Sequence, residues 1–154
     1  MTFLCGDFAT AEIKCEPLRA LHTLWSGKVS SDGRIPSRSD FDPLTIHPSV
    51  LPFLILLDVI RPDGSLRFQV RLVGTGIVEA VGRDSTGRYL DELPNEEQVI
   101  GRAEWMVRNQ KPVYVHALSL SWASRDYKIY SALGVPLASD GVTVDKLIYQ
   151  MAFA

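Results

Sequence analysis

The segment FLILLDVIRPDGSLRFQVRL, residues 53–72, constrains the fold more than any other part of the chain. Residues 53–60 form an apolar, β-forming run broken only by Asp58. Arg61-Pro62-Asp63-Gly64 is a strong turn signal, because proline presets φ and glycine accepts the positive φ that a tight reversal demands. Beyond it Leu66, Phe68, Val70 and Leu72 alternate with Arg67, Gln69 and Arg71, the period of a strand with one buried face. A lone two-stranded ribbon is at best marginal in water. The rest of the chain must cover that face.

What flanks the hairpin supplies the cover. Upstream, Pro17 suits a first helical position, and Leu18, Leu21, Leu24 and Trp25 recur at helical spacing before Gly27. Downstream, Ile77, Val78 and Val81 read as a short helical piece ended by Gly82, followed after Gly87 by Leu90 and Leu93. Asn95 with Gln98 resembles a capping box, opening a helix with the stripe Val99, Ile100, Ala103, Met106 and Val107 that Pro112 closes. Strands are expected over 113–122, 126–135 and 144–153, separated by Ala123-Ser124-Arg125 and Ser139-Asp140-Gly141. Helix, hairpin, short helices, long helix and three strands define an α+β domain whose sheet is antiparallel, with helices gathered on one face.

The chain has 154 residues, 46% of them hydrophobic and 22% charged, enough for one domain with a real core. Sixteen Lys and Arg against eighteen Asp and Glu leave a net charge of −2, which gives a polyanion no reason to bind. Nucleic acid and anionic membranes are therefore not expected partners. The run 53–60 is too short to span a bilayer, and the opening MTFLCGDFAT lacks the basic start of a signal peptide. Cys5 and Cys15 read as two thiols in a reducing cytoplasm, with a mutual disulfide or a redox role left open.

The stretch GRIPSRSDFDPLTIHP, residues 33–48, admits two readings. In one, Arg34 and Arg38 bind an anion beside Asp40 and Asp42. In the other, Asp42 caps a turn with Pro43 at its first position, and Arg38 pairs with a nearby carboxylate to latch the N-terminal helix to the sheet. Alternating signs cancel each other's field, so the latch (Arg38, Asp42, Pro43) is the expectation. His47-Pro48 repeats the capped start one turn later.

Motifs for chemistry are thin. Val73-Gly74-Thr75-Gly76 invites a dinucleotide reading, but Glu79 stands where the third glycine belongs and no βαβ unit surrounds it. These glycines instead permit a sharp exit from the second hairpin strand. His22, His47 and His116 form no metal-ligand spacing with one another or with an acid. Haem needs one axial histidine and an apolar cavity, which leaves His116 as the single candidate and haem a weak one. No Gly-x-Ser-x-Gly occurs. An acid–base pocket would need a carboxylate inside an apolar cavity; Asp58, Glu79 and Glu104 are the candidates, and each neighbours polar positions that suit a surface carboxylate better.

Leu24-Trp25, Pro36-Ser37-Arg38, Asp42-Pro43 leading to Leu51-Pro52, Leu57-Asp58-Val59, Arg71-Leu72-Val73-Gly74-Thr75 and Gly82-Arg83-Asp84-Ser85-Thr86-Gly87-Arg88 carry a resemblance by their order and spacing. From about Pro17 to the C-terminus the chain resembles the alphaproteobacterial stand-alone PAS domain family, once catalogued as a domain of unknown function. The resemblance implies a five-stranded antiparallel sheet cupped by helices, with an extra N-terminal helix: residues 1–32 as lead-in and 33–154 as the PAS-like unit. PAS domains sense small molecules or mediate protein contacts, often as dimers. With no residues left for an effector, output is expected to pass through a signalling partner. The cavity is expected between Phe68, Val70 and Leu72 and the helical residues Ile77, Val81, Ala103 and Val107, with His116 and Trp122 beside it. The stripe Leu18, Leu21, Leu24 and Trp25 is the expected homodimer interface. Residues 77–111 hold no cysteine for the flavin photochemistry of light-sensing relatives. A non-catalytic sensory or regulatory module is thus the leading reading, beside a small acid–base enzyme and a scaffold with a closed cavity. A carboxylate buried in an open apolar cavity would favour the enzyme.

Overall fold

A computed structural model describes residues 2–42, 45, 47–94, 96–119 and 129–153. The elements in chain order are β1 (Thr2–Cys5), α1 (Glu16–Lys28), β2 (Leu54–Ile60), β3 (Arg67–Val73), α2 (Thr75–Val81), α3 (Glu97–Asn109), β4 (Val113–Ser119), β5 (Ile129–Leu137) and β6 (Lys146–Phe153). All six strands lie in one antiparallel sheet of order β1-β4-β5-β6-β2-β3. The expected hairpin is β2–β3, turning through Asp63 and Gly64, both at positive φ. β4, β5 and β6 follow α3 in the same sheet, so the α+β class and the PAS-like order hold. Residues 120–122 and 126–128, read from sequence as strand, lie outside the described residues.

Two features depart from expectation. The sheet has a sixth strand, because Thr2–Cys5 pairs with β4 along Val113 to His116. Four residues with no alternation to read give a strand that only its neighbour specifies. The helices also divide between the two faces. Tyr149 and Met151 of β6 look toward α2 and α3, while Gln150 between them donates Nε2 to the Pro17 carbonyl of α1 at 2.9 Å. Successive strand residues point to opposite faces. The sheet is therefore sandwiched, with α1 outside and α2 and α3 inside.

α1 seals the outer face. Its stripe buries Leu18, Leu21 and Trp25 in the chain's own core, and Trp25 Nε1 donates to the Pro136 carbonyl of β5 at 2.7 Å. Leu24 is half-buried against the same cluster. This corrects the expectation of a dimer interface at Leu18, Leu21, Leu24 and Trp25: a stripe spent on its own sheet has little left to offer a second copy. Ile13 to Met151 share one hydrophobic cluster, which binds the lead-in and the sheet into one core.

The stretch 33–42 is tied to the loop after β5. Ile35 N–H donates to Gly141 O at 3.1 Å, and Ala138 N–H donates to Pro36 O at 3.0 Å. Arg38 Nη1 donates to the Phe41 carbonyl at 2.9 Å and forms no ion pair among the described residues, and the Asp42 carbonyl accepts from Thr45. Pro43 lies outside the described residues. His47 caps the 3-10 turn Pro48–Phe53, its Nδ1 accepting from Ser49 N–H.

Gly74 explains the sharp exit from β3. A Cβ there would sit 2.3 Å from the Pro52 carbonyl oxygen, so only glycine lets the chain cross residues 51–52 and enter α2.

Candidate functional site

Between the inner face and the helices lies a cavity of about 70 Å³. Its floor is Ile55, Leu57, Val70 and Val73 from the hairpin, with Val113, Val115, Ala132 and Met151 from β4, β5 and β6. Ile77 and Val81 of α2 and Val99 of α3 form the roof. The wall after α2 is held by a second ladder: Val70 N–H donates to Arg88 O, Gly87 N–H donates to Val70 O, and Arg67 grips the Asp91 carboxylate with two bonds of 2.7 and 2.8 Å. That clamp positions Arg83, Ser85, Leu90 and Leu93 on the cavity.

Polar groups gather at one end of this apolar space. Glu96, immediately before α3, is only 6% exposed and accepts from Arg83 Nη2 at 2.9 Å. Burial pushes its carboxyl up to about 7, and Arg83 pulls back only part of that shift. One turn and a half along α3, Arg102 Nη2 donates to the Tyr130 hydroxyl at 3.2 Å. The Tyr149 hydroxyl is buried with no hydrogen-bond partner among the described residues, and so is Arg83 Nε. Burial raises the Tyr149 phenol far above its ordinary range, while the Arg102 guanidinium acts to lower it and Tyr130 and Glu96 add to the rise. Five side chains from four places in the sequence thus converge. Gly134 of β5 makes room for them, since a Cβ there would meet the Tyr149 ring at 2.7 Å and Met106 Cε at 2.9 Å.

Of the lining residues expected from sequence, Val70, Ile77 and Val81 face the cavity. Phe68 and Ala103 are buried beside it without lining it, and Val107 is half-buried on α3. Leu72 is 41% exposed, and Val73 takes its place. The cause is a bulge: Leu57 pairs with Val70 but Leu56 pairs with Leu72, so Arg71 is an extra residue that flips the alternation. Leu72 is therefore corrected from the cavity to the outer side.

His116 is corrected likewise. It follows Val115 on β4 and so turns to the outer face, where its Nδ1 meets the Tyr114 hydroxyl at 2.6 Å and Ser131 Oγ at 3.2 Å. The histidine weighed for haem therefore does not enter the cavity. Trp122 lies outside the described residues. Among the described residues no three His, Cys, Asp or Glu side chains cluster as a metal site, and no helix is long and apolar enough to cross a membrane.

None of the acids weighed from sequence reaches the cavity. Asp58 sits on the sheet between Lys146 Nζ at 2.7 Å and Arg71 Nε at 3.1 Å. Glu79 is exposed, and Glu104 pairs with Arg108 at 3.4 Å. The buried acid is Glu96, which the sequence reading did not single out. Its only mark in the sequence is its place just ahead of an amphipathic helix. Asn95, the expected cap, lies outside the described residues, and the cap position itself is Glu96.

No curated protein and no solved structure matches the chain. A family model described as a PAS domain matches residues 13–148, which takes in α1, the hairpin, the helical cover, β4, β5 and the start of β6. With the sheet order, the helical cup and the inner cavity in agreement with that match, the chain belongs to the PAS domain family.

Proposed function

We propose that this PAS domain is a non-catalytic sensory or regulatory module of the cytoplasm that holds a small molecule in its inner cavity and passes the state of that cavity to a protein partner. The observation that carries this reading is the Tyr149 hydroxyl, buried on the cavity without a hydrogen bond among the described residues: such a group costs about 1–3 kcal/mol, and a bound acceptor would recover it. In this reading occupancy reaches the sheet through Arg102, which lines the cavity from α3 and donates to Tyr130 of β5. Native mass spectrometry of the protein as purified tests the proposal. A retained molecule appears as added mass that denaturing spray removes. A bare chain that also takes up nothing from a panel of small metabolites would leave the scaffold with a closed cavity.

An acid–base enzyme remains as a second reading on one observation, the Glu96 carboxyl held near neutrality within an apolar cavity. Against it, Glu96 is already engaged by Arg83. The retained molecule separates the two readings. Recovered unchanged after incubation with fresh protein, it is a signal; recovered converted, with conversion lost in Glu96→Gln, it is a substrate.

A further inference from the structure

The hydrogen-bonding groups of the cavity wall are unbalanced. Among the described residues Arg83 Nε–H and the Tyr149 hydroxyl are buried without a hydrogen-bond partner, and Arg102, with five N–H donors, gives one bond to Tyr130. On the acceptor side, Glu96 is already engaged by Arg83. Counting charge, two guanidiniums face one carboxylate, so the cavity carries an excess of one positive charge with Glu96 ionised. An incoming ammonium would meet guanidiniums first. An incoming anion would meet donors that lack acceptors.

Size narrows the class further. One water needs about 10–15 Å³ and a benzene about 150 Å³, so a cavity of about 70 Å³ takes a ligand of about three to six heavy atoms. Beyond the polar end the lining is aliphatic. A dicarboxylate would strand its second charge among Ile55, Leu57 and Val70, and a phosphate has no apolar part to match them. We infer that the cavity is a site for a short-chain monocarboxylate, whose carboxylate accepts from Tyr149, Arg102 and Arg83 Nε while its alkyl chain lies on Ile55, Leu57 and Val70. This rests on the small-molecule reading above and names its ligand class.

The test uses the full chain, calorimetric titration and thermal melts, with three matched probes: butyrate, butyramide and 1-butanol, plus the acids from acetate to hexanoate. Butyrate or an acid within a carbon of it should bind saturably and raise the melting temperature, at least about tenfold tighter than butyramide. Tyr149→Phe and Arg102→Gln should each weaken the acid by about tenfold or more and leave 1-butanol unaffected. Tyr149→Phe removes one oxygen and keeps the ring, so a folded variant is expected for that arm. Equal affinity for butyrate and butyramide, or acid binding undiminished in both variants, overturns the carboxylate assignment while the small-molecule reading stands. If no acid, amide or alcohol binds, the carboxylate assignment falls, and native mass spectrometry of the protein as purified decides the small-molecule reading by itself.

Discussion

The two faces of the sheet solve opposite problems with the same strands. The outer face is closed by α1: Leu18 and Leu21 are wholly buried, Trp25 spends its one donor on Pro136, and Gln150 spends an amide hydrogen on Pro17. The inner face is left incomplete, with a cavity, an ion pair at low dielectric and a phenol that bonds to nothing among the described residues. A chain under selection for stability alone would fill the second face as it fills the first. Under the proposed function, the outer side serves stability and the inner side serves recognition.

The largest expected effect sets the faces directly against each other. Leu21→Ala on the outer face should cost about 2–5 kcal/mol in urea unfolding, because close-packed neighbours cannot collapse into the gap. Leu57→Ala on the inner face removes the same atoms from a side chain that is also buried but already borders empty space. It should cost about 1–2 kcal/mol less than Leu21→Ala. Equal costs would mean that the two faces are packed alike.

Arg83→Met comes next. It leaves Glu96 buried without its partner, which for a fully buried pair costs about 3–5 kcal/mol. Arg83 keeps 27% of its side chain in water, so about 2–3 kcal/mol is expected at pH 8. Adding Glu96→Gln should return most of the loss. If the double variant is no more stable than the single one, Arg83 holds the wall by packing and not by charge.

Much of this architecture was legible in the sequence, and the illegible parts have physical reasons. The hairpin announced itself through alternation around Arg61-Pro62-Asp63-Gly64. The α1 stripe was equally plain, but periodicity says that a face is buried and not what buries it; only the bonds from Trp25 and Gln150 show that the cover is the chain's own sheet. Leu72 was misplaced because one bulged residue, Arg71, inverts every later side chain of β3. The polar wall was invisible for another reason. Arg83, Glu96, Arg102, Tyr130 and Tyr149 share no spacing, and each looks ordinary in its own segment: an arginine in a loop, an acid before a helix, tyrosines in apolar strands. Tertiary folding alone makes them a group.

A smaller effect sharpens the electrostatic half of the contrast. The Glu96 carboxyl titrates near 7 in the folded chain, above its ordinary value of 4.5. Between those two values the native state holds more of this proton than the unfolded state, so this group's contribution is greatest below about 4.5 and is lost as pH rises through about 7. The slope should reach at most about 1.4 kcal/mol per pH unit. Urea midpoints followed from pH 5 to 7.5 should show that decline, and Glu96→Gln should flatten it. The same slope in both proteins would assign the titration to another group.

The smallest effect bears most directly on the inner face as a recognition surface, and one measurement reads it: the melting temperature of Tyr149→Phe against wild type, both freed of any bound molecule. Removing a hydroxyl that is buried and unbonded among the described residues should raise stability, by up to about 1 kcal/mol because the oxygen's packing contacts are lost with its burial cost, a shift of a few degrees for a domain of this size. The same variant should lose the stabilisation that butyrate gives the wild type. A ligand-free Tyr149→Phe that melts several degrees below wild type would mean that the hydroxyl is an ordinary satisfied core group, and the division of labour between the two faces would not stand.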